Sequence, residues 1–230
     1  MSVNRRLNAA VVDYGLGNIF SIQQACRVVG IDSIVTSSSH EIQNADAVFF
    51  PGVGAFGDAM AALRRLDLVA VLQDVAASGK PLIGICLGLQ LLMDRSYEFG
   101  HHEGLSLISG DVLSLKVDGS EVKTKIPHVG WNRLEPTQLQ SQTAPLWSET
   151  PLSGLNSGEH MYFVHSYYVL PADLSLVLAV TKYGDTEFCS SLQQDNVVGF
   201  QFHPERSGPK GLEIYWNLKT FIYKYSKAKR

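Results

Sequence analysis

The chain has 230 residues, 45% of them hydrophobic, which is enough to bury one full core, so we expect a single domain over residues 1–230. Its net charge of −3 gives no basic character of the kind that nucleic-acid binding requires. Three widely spaced cysteines suggest no disulfide framework, and we find neither a signal peptide nor an apolar run of about twenty residues. We therefore expect a cytoplasmic protein that binds neither nucleic acid nor membranes.

Short predicted strands alternate with helical patterns in the first part of the chain. The strands lie at residues 7–12, 31–36, 45–50 and 81–85, and the first and last of them are apolar runs typical of strands buried in a parallel sheet. A polar turn is predicted at 37–39 and a helix over 87–95, and short strands dominate from 112 to 202. This order predicts an α/β fold, a doubly wound and mostly parallel sheet with helices on both faces and antiparallel strands added in the second half.

One cysteine lies where a predicted strand turns into a helix. Cys86 is flanked by Gly84 and Gly88 in the pattern G-x-C-x-G, the thiol version of the nucleophile elbow. Small neighbours let the backbone pass close to itself in this crowded turn, and a helix N-terminus favours the thiolate form of the side chain. The alternative is a buried structural cysteine, because cysteine is often a small core residue.

A histidine and a carboxylate near the C-terminus supply the other groups that a cysteine nucleophile needs. His203 follows an apolar strand, Pro204 stops that strand, and Glu205 can orient the imidazole. His165, in an aromatic-rich stretch, is a rival base, but it has no adjacent carboxylate in the sequence. The order Cys–His–Glu also argues against an α/β-hydrolase, in which the acid precedes the histidine.

A glycine-rich loop at residues 51–56 follows the third predicted strand. Its backbone N–H groups could form an oxyanion hole beside the cysteine, and the alternative is an ordinary strand-to-helix turn. The stretch His101-His-Glu103 could suggest a metal. Because adjacent side chains rarely converge on one ion, we predict that no metal is bound there.

These motifs together resemble the class I (triad-type) glutamine amidotransferases, and more closely the glutaminase subunits of imidazole glycerol phosphate synthase. The match runs the length of the chain and rests on 13–18 (DYGLGN), 51–56 (PGVGAF), 84–90 (GICLGLQ), 127–132 (PHVGWN), 162–167 (YFVHSY) and 203–207 (HPERS). The first, fourth and fifth of these stretches separate this family from other triad glutaminases. One departure is Arg206, where the family often has lysine.

The resemblance implies a flavodoxin-like fold and a glutaminase half-reaction. Cys86 would attack the side-chain amide of glutamine to form a thioester, His203 would move the protons, and Glu205 would orient His203. Ammonia would pass to a separate (β/α)8-barrel cyclase subunit of the HisF type, so the implied assembly is a heterodimer in the pathway of histidine biosynthesis. No metal or organic cofactor is implied.

The resemblance also assigns the residues around the cysteine. The oxyanion donors would be the N–H of Leu87 and an N–H from the segment Gly52-Val53. Gln90, Ser166 and Tyr167 would hold the backbone groups of glutamine.

Three alternatives stay open from the sequence. Another triad glutaminase, of the anthranilate or pyridoxal-phosphate type, should lack the stretches at 127–132 and 162–167. A cysteine peptidase-like member of the same fold family would need an open cleft for a peptide. A non-catalytic binding subunit would keep the fold without the chemistry, and the presence of all three residues Cys86, His203 and Glu205 argues against it.

Overall fold

The computed structural model describes residues 6–116, 125–141 and 145–227. Its strands are β1 (Leu7–Val12), β2 (Ile31–Thr36), β3 (Ala47–Gly52), β4 (Leu82–Cys86), β5 (Arg95–Ser96), β6 (His102–Glu103), β7 (Gly110–Ser114), β8 (His128–Arg133), β9 (Glu135–Pro136), β10 (His160–His165), β11 (Tyr167–Pro171), β12 (Val177–Tyr183), β13 (Thr186–Gln194) and β14 (Val197–Phe200). Its helices are α1 (Ile19–Val28), α2 (Ser39–Asn44), α3 (Phe56–Arg65), α4 (Leu68–Ala77), α5 (Leu87–Leu91), α6 (Gln138–Ser141) and α7 (Gly208–Lys227). Two 3-10 turns cover Leu174–Leu176 and Pro204–Arg206.

The main sheet has eight strands in the order β2-β1-β3-β4-β14-β13-β12-β9. The pairs from β2 to β14 are parallel, and the pairs from β14 to β9 are antiparallel. A four-stranded sheet, β11-β7-β5-β6, and the pair β10-β8 complete the strand structure. The α/β class, the doubly wound order and the added antiparallel strands are therefore confirmed.

The two faces of the parallel strands are covered by different helices. Ala9 and Val11 belong to a buried cluster with side chains of α1 and α7, whereas Ala10 and Val12 belong to a second cluster with side chains of α2, α3, α4 and α5. Successive strand residues point to opposite faces, so a run that is apolar at every position fills both layers at once. No helix within the described ranges is long and apolar enough to cross a bilayer.

The observed elements differ from the predicted ones in several places, and the fourth strand, for example, is Leu82–Cys86 rather than 81–85. The third strand is Ala47–Gly52 rather than 45–50, so it extends into the glycine-rich loop. The predicted polar turn contains the start of α2, whose N-cap Ser38 accepts a hydrogen bond from the Glu41 N–H (3.5 Å). The pattern Ser-x-x-Glu is a capping signal that could have revealed this helix.

The helix after the elbow is shorter than predicted, ending at Leu91 instead of residue 95. The Leu91 and Leu92 carbonyls accept hydrogen bonds from Leu105 and Leu107 (both 2.9 Å), so a later loop occupies acceptors that a longer helix would use. The chain then continues as β5, which pairs with β6 and β7. Tertiary contacts here override the local helical pattern.

The packing around Gly88 is so close that a substitution at this position tests the elbow geometry. A Cβ atom at Gly88 would lie 1.8 Å from the Phe50 carbonyl oxygen, whereas one at Gly79 would meet nothing within 4 Å. We expect Gly88→Ala to lower the free energy of unfolding by at least about 3 kcal/mol, because backbone must move. Gly79→Ala, where φ is +73°, is the control and should cost about 1 kcal/mol. Urea denaturation measures both, and equal losses would contradict the proposed crowding.

Candidate active site

Cys86 ends β4 in a backbone conformation that residues other than glycine rarely adopt. Its φ is 55° and its ψ is −110°, and α5 begins at the next residue. The neighbouring strand β3 and the start of α5 press against each other through Gly88, so the turn is held from both sides. A strained residue other than glycine between a strand and a helix is characteristic of a nucleophile elbow.

His203 and Glu205 reach the same edge of the sheet because β14 lies beside β4 in parallel. The register pairs Phe200 with Ile85, so the ends of both strands meet where Cys86 lies. Nδ1 of His203 lies 2.8 Å from Oε1 of Glu205, and both side chains are almost completely buried. A carboxylate only accepts, so Nδ1 carries a proton and Nε2 remains available. Nε2 is buried and has no hydrogen-bond partner among the described residues.

The surroundings move the pKa of His203 in opposite directions. Burial lowers it, but the negative charge of Cys86 and, to a lesser extent, the hydrogen bond and charge of the Glu205 carboxylate outweigh burial and raise the pKa to about 10. An imidazole with this pKa is a strong partner for a thiolate.

His165, the rival base, differs from His203 in its hydrogen bonds and in its protonation. Its Nδ1 lies 2.9 Å from the Tyr167 carbonyl oxygen and its Nε2 lies 3.1 Å from Nδ1 of His128. A carbonyl only accepts, so Nδ1–H donates to it and Nε2 accepts the proton of His128. Burial lowers the pKa of His165 to about 3. With both nitrogens engaged and the ring neutral, His165 is poorly placed to act as the base.

A cavity of about 230 Å³ lies beside Cys86. Most of the residues predicted for substrate and oxyanion binding line it together with residues that the sequence did not indicate. The lining residues are Val53, Gly54, Cys86, Leu87, Gln90, Glu98, Pro127, Val164, His165, Ser166 and Tyr167. Gly52 is not among them and lies buried at the end of β3, paired with Cys86 in the register.

Glu98 is a cavity residue that the sequence reasoning missed. Its carboxylate is largely buried, accepts a hydrogen bond from the Phe56 N–H (2.6 Å), and has a pKa that burial raises. The sequence around Glu98 carries no periodic pattern that would have singled it out, and the residue lies two positions after β5.

Two further residues support the pair of His203 and Cys86 and were also missed. Nδ2 of Asn18 donates to Oε1 of Glu205 (3.3 Å), which ties the turn before α1 to the buried carboxylate. Gln201 is completely buried, and its amide nitrogen lies 3.8 Å from Sγ of Cys86. No local signal identifies either one, since each acts through a contact across the fold.

The other two cysteines differ from Cys86 in their surroundings. Cys26 and Cys189 are buried and unpaired, and burial raises the pKa of each thiol to about 12. A protonated, inaccessible thiol is a packing group. Within the described ranges, no group of three or more His, Cys, Asp or Glu side chains could hold a metal ion.

The comparisons with known proteins agree with this geometry. The family model described as glutamine amidotransferase class-I matches residues 10–218. The chain belongs to the class I glutamine amidotransferases. It is 46% identical over 214 residues to the imidazole glycerol phosphate synthase subunit HisH of Aquifex aeolicus, covering 93% of this chain and 96% of that protein. The HisH subunit of Rhodopirellula baltica is 42% identical over 210 residues, covering 91% and 96%.

Solved structures show that this amidotransferase shares its fold with distant relatives. A putative GMP synthase protein from Thermoplasma acidophilum superposes with a TM-score of 0.70 at 18% identity, over 98% of both chains. A structure of PurLQS from Thermotoga maritima gives 0.69 at 19% identity, over 95% of this chain and 100% of that one. At these identities the likeness concerns the fold alone.

The raised pKa of His203 predicts a specific titration in this amidotransferase. Because the folded pKa of about 10 exceeds the ordinary value of 6.5, the contribution of His203 to stability is complete below about pH 6.5 and is lost as pH rises through 10. We expect Cys86→Ala to lower the pKa of His203 by about one to three units, since an opposite charge is removed. Imidazole NMR signals measure it, with exposed His40 as internal reference. An unchanged midpoint would contradict the coupling.

Proposed function

We propose that this chain is the glutaminase subunit of an imidazole glycerol phosphate synthase. It hydrolyses glutamine to glutamate and ammonia at Cys86 and passes the ammonia to a cyclase subunit of the HisF type, in histidine biosynthesis. The observation that carries the proposal is the buried pair His203–Glu205 facing the strained Cys86. Identity of 41–46% to HisH subunits along nearly the whole chain supports the choice of this synthase over other triad glutaminases.

The reaction needs one nucleophile and one proton carrier. Nε2 of His203 takes the thiol proton of Cys86, and the sulfur attacks the side-chain carbonyl carbon of glutamine. The carbon–nitrogen bond then breaks, His203 gives its proton to the departing ammonia, and a thioester remains. His203 next accepts a proton from water, the resulting hydroxide attacks the thioester, and glutamate leaves as the proton returns to the sulfur. Glu205 keeps the imidazole oriented throughout.

Backbone N–H groups would stabilise the oxyanion of each tetrahedral intermediate. The Leu87 N–H opens α5 beside the sulfur, and Val53 lines the cavity near it. The Tyr14 hydroxyl donates to the Pro51 carbonyl (2.8 Å), which fixes the peptide before Gly52. The next peptide, between Gly52 and Val53, is not held by that bond. Its N–H would turn toward Cys86 when the partner binds, because glycine permits such a flip at low steric cost.

Charged and polar groups of the cavity suit the two ends of a free amino acid. Glu98 would bind the ammonium group, since it is the carboxylate that lines the cavity. The amide nitrogen of Gln90 donates to the Tyr167 carbonyl (2.8 Å), so its oxygen is the atom left to face a substrate ammonium. Ser166 and Tyr167 would hold the carboxylate end. A cavity of about 230 Å³ suits one amino acid better than a peptide.

The main test measures glutamate release by the chain alone and with a cyclase barrel plus its nucleotide ligand. We expect strong activation by the liganded barrel, and a loss of about 10⁴-fold or more in Cys86→Ala, because no nucleophile remains. Cys189→Ala removes a buried thiol away from the cavity and should keep the activity. An electrophilic glutamine mimic should label Cys86 and leave Cys189 unmodified.

Other outcomes would replace the proposal. Full activity without the barrel would leave a glutaminase without the proposed partner. Hydrolysis of peptides would indicate a peptidase of the same fold. No glutamate under either condition, together with no label at Cys86, would indicate a binding subunit.

An exposed aromatic patch supports the proposed contact with the cyclase. The outer face of β8 and β10 carries Val129 and Trp131, 55% and 56% exposed, and Trp131 packs edge-on against Tyr162 (6.2 Å between ring centroids). The Arg206 guanidinium lies over the Tyr162 ring at 4.9 Å, a stacking for which arginine is better suited than lysine. Exposed aromatic and arginine side chains are typical of interface hot spots.

The aromatic patch (Val129, Trp131, Tyr162 and Arg206) is joined to the candidate catalytic residues through the backbone. The Tyr162 carbonyl accepts a hydrogen bond from the His203 N–H (2.9 Å), and Arg206 directly follows Glu205. A partner that presses on this patch would therefore act on the segment that holds the base. This continuity is our reason for placing the cyclase there.

Trp131 should contribute much of the binding energy at this surface. We expect Trp131→Ala to weaken binding of the cyclase about 30-fold or more, because a large exposed ring loses its partner surface. Trp216→Ala is the matched control, since Trp216 is 50% exposed but lies on α7. Isothermal titration calorimetry measures both variants. Equal affinities would place the interface elsewhere.

A further inference from the structure

Gln201 is a completely buried amide next to the candidate nucleophile. It follows β14 directly and lies two residues before His203, and its backbone N–H donates to the Ser190 carbonyl (2.9 Å). Its side-chain oxygen lies 3.2 Å from Nε2 of Gln90, and its side-chain nitrogen lies 3.8 Å from Sγ of Cys86. A buried amide is costly unless its polar atoms have partners, so this position needs a reason.

The orientation of this amide follows from a chain of donors and acceptors. The chain begins at the Tyr167 carbonyl, which can only accept, so the Gln90 atom 2.8 Å away is the amide nitrogen. That nitrogen has a second proton and lies 3.2 Å from the amide of Gln201. The facing atom of Gln201 must then be its oxygen, which turns its NH2 group toward the sulfur of Cys86. The assignment thus depends on a backbone atom rather than on a choice of amide flip.

The sulfur of Cys86 has two polar neighbours that favour opposite protonation states. The Val164 carbonyl lies 3.6 Å from Sγ, where it can accept the thiol proton but repels a thiolate. The NH2 group of Gln201 donates, so it stabilises the thiolate. Without Gln201, the contact with the Val164 carbonyl, which favours the neutral thiol, would remain.

We propose that Gln201 donates a side-chain N–H to the thiolate of Cys86, and that Gln90 holds Gln201 in the orientation this requires. The inference rests on the proposed function, in which Cys86 is the nucleophile, and it deepens that function by naming a further residue that touches a reacting atom. Gln90 thereby links the sulfur to the Tyr167 carbonyl at the wall of the cavity. An amide keeps the same charge at every pH, so its support for the thiolate does not titrate.

Among the described residues, five titratable groups face the same space and must be separated from this effect: Tyr14, Glu98, His165, Tyr167 and His203. Tyr14 donates its hydroxyl to Pro51, and burial raises its pKa. His165 is neutral, with both nitrogens engaged. Glu98 lines the cavity and His203 is the cation that pairs with the sulfur. Replacing Gln201 by an uncharged side chain adds no titrating group to this set.

The test is the pH dependence of alkylation of Cys86 by iodoacetamide in the whole chain. Gln201→Met keeps the volume and removes the donor, and we expect the midpoint to rise by about one pH unit, a tenfold fall in thiolate fraction below the midpoint. Gln193→Met, on β13, is the matched control, because the amide of Gln193 donates to the Asp195 carbonyl instead (3.2 Å). Its midpoint should equal that of the unchanged protein.

A second variant keeps the proposal testable if Gln201→Met does not fold. Gln201→Glu keeps the shape and the acceptor for Gln90, and its charge opposes the thiolate, so the midpoint should rise further. An unchanged midpoint in either folded variant overturns the proposal. In the unchanged protein, the side-chain amide NMR signals of Gln201 should shift with the alkylation midpoint, and signals that stay constant through that titration would overturn it as well.

These readouts do not depend on glutamine turnover. A raised alkylation midpoint in a protein that releases no glutamate would leave the role of Gln201 standing and remove the proposed function. Normal activation by the cyclase with unshifted alkylation midpoints would remove the proposed role of Gln201 and leave the proposed function standing.

Discussion

The parallel pairing of β4 with both β3 and β14 is the constraint on which the site depends. β4 ends at Cys86, β3 ends at Gly52, and β14 leads to His203 within three residues. The register places Gly52 beside Cys86 and Phe200 beside Ile85. Because carboxyl ends of parallel strands share one edge, the sheet assembles a candidate nucleophile, a candidate base and a glycine-rich backbone from three distant parts of the sequence.

That assembly requires unusually close packing behind Cys86. Gly88 lies against the Phe50 carbonyl, and Gly84 lies against the backbone of Gly88 and Leu89, so neither position has room for a Cβ atom without movement. Both layers of the sheet are filled by large side chains, with Phe49 on one face and Phe50 on the other. The strained backbone of Cys86 is therefore held by the core around it.

Sequence reasoning succeeded where local pattern and tertiary structure agree. The first two strands were predicted at their observed bounds, although β2 contains Asp32 and Ser33 and is buried only at its two ends. The prediction of a long helix after Cys86 was wrong, because N–H groups of the loop near Leu105 donate to the carbonyl groups that a longer helix would use. The candidate site residues that the sequence indicated lie in continuous motifs, as in the elbow. Glu98, Asn18 and Gln201 escaped, since each depends on a contact with residues far away in the chain.

Two candidate bases, His203 and His165, lie near the same cysteine, and their surroundings explain why the pKa of one is raised and that of the other is lowered. His203 faces the sulfur of Cys86 and a buried carboxylate, and negative charge on these two groups raises its pKa to about 10 in spite of burial. His165 faces a carbonyl and a neutral imidazole, which offer no charge to offset burial, and its pKa falls to about 3. Burial alone thus does not define a base. A buried histidine keeps its proton when negative charge is buried beside it, and at His203 that charge comes from Cys86 and Glu205.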